Sequence, residues 1–380
     1  MRDLFQRSDL ARYAGQFVWL ELNYDEPQNT AFFTKYGVRA TPTFVMIDPR
    51  HEDVLELKNG AMSLQEITQF LERGASRLVE TKQIAADQAL KRADILIVTS
   101  PKEAIAAYQQ ALQLAPPGWN DRELAETLLI IAFQHDRQPQ QCAEMAAADA
   151  PHMTRSSNFA RTVMTGLWCI ADGGSADWTP SAFNRLKPLA EEALSLSTTV
   201  RDHRNEIYRA LMLIAVSRKD SESAGRWGNR WLDELDTIKP TSDDERSALD
   251  IARVENVQVY GDANRIIPAL IESERAMPNN YVASLRLAQA ELMANRYADA
   301  IGTINRGLAR NPGAVGRSWL LEMKAEVLTH NGEPDEARKA LQSALVAAQQ
   351  IPTPESRKRT VDRIRLALDA MTKSPIQKQR

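Results

Sequence analysis

The sequence predicts a mainly α chain: a small α/β module with an incomplete sheet over 1–74, then an α-solenoid of helical hairpins over 75–380. Three observations carry this reading. Glycine is scarce, at 16 of 380 residues, which disfavours turn-rich β structure. Beyond Ala75, prolines and glycines fall at intervals that leave room for helices of roughly 10–18 residues, each with a 3.6-residue apolar period. Before Ala75, short apolar runs of strand length alternate with turn residues.

Taken in order, Arg2–Ala14 carries Leu4, Phe5, Leu10, Ala11 and Tyr13 at spacings compatible with a helix bent near Ser8-Asp9. Phe17–Leu22 reads as a strand. Asn23, Tyr24, Asp25 and Glu26 make a turn, and Pro27 suits the first turn of a helix to Tyr36, which Gly37 ends in a left-handed cap. Strands Thr43–Asp48 and Asp53–Lys58 follow, joined by the turn Pro49-Arg50-His51-Glu52. After Asn59-Gly60, Ser63 caps a helix to about Arg73, with Glu66 completing a capping box.

The rest reads as helices separated at Pro101, Pro116, Pro139, Pro151, Gly173, Pro180, Pro240, Gly261, Pro278, Pro312, Gly332 and Pro352. Ala300, Ile304, Gly307, Leu308 and Pro312 repeat the spacing of Ala104, Tyr108, Ala111, Leu112 and Pro116. Ala337, Leu341, Ala344 and Leu345 repeat it again. Ala288 and Ala325 stand one helix earlier, before Ala300 and Ala337. Small residues at such positions let the two helices of a hairpin approach closely. The clearest repeats span 85–116, 281–312 and 318–350. Between 120 and 277 the pattern fades, with Ala182–Leu196 and Ser221–Ile238 as candidate second helices and Trp227 and Trp231 placed to pack between helices.

In the first segment Phe17, Val18, Leu20, Asp25, Asn29, Tyr36, Val38, Pro42, Thr43, Phe44, Asp48 and Gly60 follow a pattern that resembles thioredoxin-like domains. The resemblance implies a cis Thr41–Pro42 bond and a substrate cleft shaped by Thr41 and Pro42. It also implies a central strand and a Cys-x-x-Cys helix that this sequence does not encode, since Met1 falls where that helix would be under way. Without a thiolate there is no nucleophile for disulfide exchange. The module is therefore redox-dead as written, or its Cys-x-x-Cys lies upstream of a misplaced start, or 1–74 is simply a small α/β cap. The repeats resemble tetratricopeptide repeats. That resemblance implies a peptide groove lined by first helices, here Val282, Leu285, Arg286, Gln289 and Met293, without the Lys/Asn clamp of chaperone-tail binders.

Charge is dense and balanced, 47 basic against 50 acidic residues for a net −3. This gives no electrostatic argument for nucleic acid or an anionic membrane. No apolar run approaches the roughly 18–20 residues of a membrane span. The charged N-terminus lacks a signal core, so the chain reads as cytoplasmic as written, and periplasmic or secreted if a leader lies upstream. Cys142 and Cys169 are expected as small core residues in a reducing compartment, and not as a disulfide framework or a metal knuckle. His51, His135, His152, His203 and His330 lack metal-ligand spacing and are expected in turns or in solvent. Glu191 and Glu192 suit a solvated face, and Asp243, Asp244 and Glu245 a helix N-terminus. The basic stretch Arg357, Lys358, Arg359, Arg363, Arg365, Lys373, Lys378 and Arg380 suits a polar capping helix with a frayed tail. No cofactor is expected. The function expected is a protein-interaction scaffold whose helical array takes a protein or peptide partner; the alternative is a thiol-disulfide oxidoreductase with its motif upstream.

Overall fold

A computed structural model describes residues 8–24, 26–49, 52–79 and 85–373. Expectations for Leu4 and Phe5, for Asp25, for Arg50 and His51, and for Lys378 and Arg380 fall outside those residues. The chain is mainly α and divides into two compact units at Asp220/Ser221.

Among the described residues the first unit opens with a 3-10 helix, Ser8–Tyr13, within the stretch expected to be helical. A 3-10 turn Pro27–Asn29 leads into α1 (Thr30–Lys35), which Gly37 closes at φ 66°. The Val38 amide then donates to the Phe33 carbonyl at 2.9 Å, so the cap forms as the sequence indicates. β1 (Thr43–Ile47) and β2 (Val54–Asn59) pair antiparallel in a two-stranded sheet. α2 (Leu64–Val79) starts at a reciprocal capping box. The Ser63 amide donates to Glu66 Oε2 at 2.8 Å, and the Glu66 amide donates to Ser63 Oγ at 3.2 Å.

The expected strand Phe17–Leu22 does not form. Val18 is 88% and Leu20 73% exposed, and only Phe17 tucks against the apolar cluster of Leu10, Tyr13, Met46, Leu55, Ile67, Phe70 and Leu71. Apolar composition favours a strand only where a second strand can accept its amides and carbonyls, and the described sheet consists of β1 and β2 alone. Gly74 of α2 is where helix and sheet come closest: a Cβ there would lie 2.0 Å from Met46 Sδ.

Helices follow as α3 (Ala85–Leu96), α4 (Pro101–Leu114), α5 (Arg122–His135), α6 (Pro139–Asp149), α7 (Ser157–Gly173), α8 (Thr179–Ser195) and α9 (Arg201–Ser217). Each packs on its chain neighbour, while α5, α7 and α9 form one row and α6 and α8 another. This is an array of hairpins, and its close contacts are made by small residues. Ala104, Tyr108 and Ala111 are fully buried. A Cβ on Gly166 of α7 would meet Ala146 of α6 at 2.6 Å and Leu186 of α8 at 2.8 Å.

The second unit holds α10 (Ser221–Asp236), α11 (Asp243–Val259), α12 (Ile267–Ala276), α13 (Tyr281–Met293), α14 (Tyr297–Ala309), α15 (Gly313–His330), α16 (Pro334–Gln349) and α17 (Pro354–Lys373). The same device recurs. A Cβ on Gly307 of α14 would stand 3.0 Å from Ser284 of α13 and 3.1 Å from Leu320 of α15. Trp227 and Trp231 are buried in α10, consistent with packing between helices. Asp243, Asp244 and Glu245 occupy the first turn of α11, where Ser242 Oγ accepts the Glu245 amide.

The reading of the cysteines needs correction. Cys142 on α6 and Cys169 on α7 form a disulfide, with Cα atoms 6.1 Å apart. Twenty-seven residues separate them in sequence, but the antiparallel hairpin brings them level. With both thiols joined, the argument for a reducing compartment falls away. Closing a loop of 27 residues removes chain entropy from the unfolded state worth roughly 3.5 kcal/mol. Both cysteines are fully buried. Native protein should therefore resist thiol reagents, and denaturant melts after full reduction should lose about that much stability; equal midpoints with and without reductant would contradict it.

Candidate functional site

Three places bear on function: the polar interior under the sheet, the Thr41–Pro42 turn, and an open helical face in the second unit. In the first, β2 buries Glu56 and Lys58 as fully as its leucines. Glu56 is met by two arginines of α2: Arg73 Nε donates to Oε1 at 2.9 Å, and Arg77 pairs with Oε2. The same two arginines reach Asp121, just before α5, at 3.4 and 3.7 Å. Burial still raises the Glu56 carboxyl above its ordinary value, against the lowering pull of Arg73 and Arg77. Lys58 pairs with Glu66 at 3.2 Å, and Arg161 of α7 donates to the Asn59 carbonyl at 2.9 Å. Burial, helped by the Arg161 charge, lowers the Lys58 ammonium to about 8.

A cavity of about 40 Å³ lies among Lys58, Glu66, Gln69, Arg73, Asp121 and Asn158. Its charges are already paired with one another, so the cavity is part of the packing of sheet on helices. His203 on α9 is buried, where a turn or solvent position was expected. Burial first, then the Arg161 charge, lower its imidazole to about 3 and keep it neutral. Neither this cluster nor any other among the described residues groups three His, Cys, Asp or Glu side chains in a way that could hold a metal ion.

The Thr41–Pro42 bond is cis, as the resemblance implied for this turn. Thr41 and Pro42 are exposed, and the turn is tied to the end of β2: the Gly60 amide donates to the Pro42 carbonyl at 2.8 Å, and Thr43 Oγ1 donates to Asn59 Oδ1 at 2.8 Å. Both cysteines of the chain are engaged in the α6–α7 disulfide, so no thiol serves this turn.

In the second unit, Val282, Leu285, Arg286, Gln289 and Met293 are half-buried on the side of α13 away from its buried residues Ala283, Leu287 and Ala290. Leu285 leans on the core of Ala288, Ile304 and Leu320, which makes it more packing than surface. Arg286 Nη1 donates to Ser247 Oγ of α11 at 3.0 Å and has no ion pair among the described residues. Burial lowers its guanidinium pKa, against the pull of Asp250. On the other side, Arg363 of α17 donates to both carboxylate oxygens of Glu322 on α15, at 2.9 and 3.0 Å. These bonds and the packing of α13 on both α11 and α15 set α11, α13, α15 and α17 side by side. Trp319 stands exposed on α15, one turn before Glu322, and Leu366 on α17, one turn after Arg363. The sequence reading stopped at α13 and missed these. The small-residue spacing that located α13 also locates α15, since Ala325 matches Ala288.

No family model matches the chain, and no curated protein matches it significantly. Among solved structures, a tetratricopeptide repeat protein from Parabacteroides merdae ATCC 43184 is similar at 12% identity and a TM-score of 0.41, over 74% of this chain and 98% of that one. At that level the helical architecture rests on this chain's own helices. No helix among the described residues is long and apolar enough to cross a membrane.

One half-buried group gives the first unit a pH dependence. Burial raises the carboxyl of Asp94 on α3 to about 7, against the hydrogen bond that Tyr108 donates at 2.7 Å. A pKa raised on folding adds stability that is complete below the unfolded value near pH ~4 and lost as pH rises through about 7. Thermal melts should show wild type losing stability across that window, while Asp94→Asn stays flatter. Parallel curves would contradict the assignment.

Proposed function

We propose that this chain is a protein-interaction scaffold whose second unit binds an extended peptide segment across α11, α13, α15 and α17. The single observation behind this is the half-buried Arg286 guanidinium, which has no ion pair among the described residues, near Trp319 exposed on α15. Arginine and tryptophan are the side chains most often found as binding hot spots. A cation held partly out of water gains most from a carboxylate brought by a partner. Arg286, Gln289 and Met293 would line one side of the path and Trp319 the other, while Leu285 supports the floor.

In this reading the α/β segment of the first unit has no redox task. Within the chain, Cys142 and Cys169 are buried and joined to each other, so neither offers a thiol for disulfide exchange.

Selection of binders from a displayed random-peptide library tests the proposal. Selected peptides should carry an acidic residue beside an apolar one, and Arg286→Ala and Trp319→Ala should each weaken them at least about tenfold, or ~1.4 kcal/mol. Binders indifferent to both substitutions would move the site elsewhere; an empty selection would remove the peptide-binding reading.

A further inference from the structure

Among the described residues β1 has one partner strand and one open edge. Its antiparallel register places Phe44 opposite Lys58 and Met46 opposite Glu56. The ladder continues at both ends, where the Gly60 amide donates to the Pro42 carbonyl at 2.8 Å and the Asp48 amide to the Asp53 carbonyl at 2.9 Å. Antiparallel pairing alternates, so the backbone groups of Phe44 and Met46 turn toward β2 while those of Thr43, Val45 and Ile47 turn away. The far edge of β2 is covered. Arg77 takes the Leu55 carbonyl at 2.6 Å, and Arg161 takes that of Asn59 at 2.9 Å. On β1, no described residue takes up the outward amides and carbonyls of Val45 and Ile47.

This edge lacks the usual protections. Thr43–Ile47 contains no charge, and Pro42 stands before the strand and not within it. Phe44 and Met46 face the apolar cluster that Phe17 also joins, and Val18 and Leu20 beside Phe17 are exposed. We propose that the outer edge of β1 is a β-addition site for one extended, uncharged, apolar strand of a partner chain. The backbone demand fixes the partner's conformation, since only a strand offers acceptors and donors at the two-residue spacing of Val45 and Ile47. Its neutrality follows from charge matching: Thr43–Ile47 offers no charge to pair with a charged residue of an added strand. The surface is independent of the helical face proposed above.

Amide-resolved hydrogen exchange tests this, with a synthetic uncharged hexapeptide of alternating valine and threonine as probe. In the free, dilute protein the Val45 and Ile47 amides should exchange at least ~100-fold faster than those of Phe44 and Met46. Millimolar peptide should slow Val45 and Ile47 by about tenfold or more. Val45→Pro removes only an outward amide; it should keep the wild-type melting midpoint and lose the protection at Ile47. Equal protection of all four amides in the free protein would show the edge already covered and overturn the proposal, as would a peptide without effect. Protection that grows with protein concentration alone would make the occupant β1 of a second copy, and would overturn the assignment to a partner strand.

Discussion

Two carboxylates and two guanidiniums, Glu56, Arg73, Asp121 and Arg77, alternate in charge beneath the small sheet, and the first unit depends on them. A two-stranded hairpin is marginal in water on its own. Here its inner charges would be costly to bury singly. They are tolerable because α2 supplies both arginines, and because Asp121 at the head of α5 shares them. The set thus links strand, adjoining helix and helical array through contacts that none of them could satisfy alone. Arg161 adds a second link, from α7 to the Asn59 carbonyl. Because these groups are committed to one another, the polar interior reads as architecture, and function is left to the surfaces.

The second unit solves a related problem differently. Glu274 of α12 is buried, and burial raises its carboxyl. Hydrogen bonds from Arg306 and Ser284 more than offset this, leaving it below its ordinary value. Arg310 adds its charge at 3.4 Å. The counter-charges for this interior carboxylate come from α14, whose Gly307 lets it lie close to α13 and α15. Arg286, by contrast, is half-buried and has no ion pair among the described residues, which is why it weighs so heavily in the functional reading.

How much of this was legible in the sequence varied with the range of the physics. Local rules worked: the Ser63/Glu66 capping box and the Gly37 cap formed where neighbouring residues demanded them, and the cis bond at Pro42 came only from the resemblance. Small-residue spacing located the hairpins of α3–α4, α13–α14 and α15–α16, because close helix approach constrains sequence directly. Non-local events were not legible. Phe17–Leu22 has strand composition, but a strand also needs a partner, and composition does not encode one. Cys142 and Cys169 seemed unrelated until a hairpin brought them level. His203 was expected in a turn or in solvent, and Glu56 and Lys58 were read only as part of a strand, since their partners lie on other elements. The candidate face was half legible: Arg286, Gln289 and Met293 came from the repeat pattern, and Trp319 from the structure.

The charge set under the sheet is most directly tested by a double-mutant cycle on Glu56→Ala and Asp121→Ala, read by chemical denaturation. Each single substitution should cost about 3–5 kcal/mol, because it strands buried guanidinium charge. The double substitution should depart from the sum by roughly 1 kcal/mol or more, since both carboxylates serve the same two arginines. Single costs below about 1 kcal/mol, or strict additivity, would mean that the sheet is held to the helices by something else.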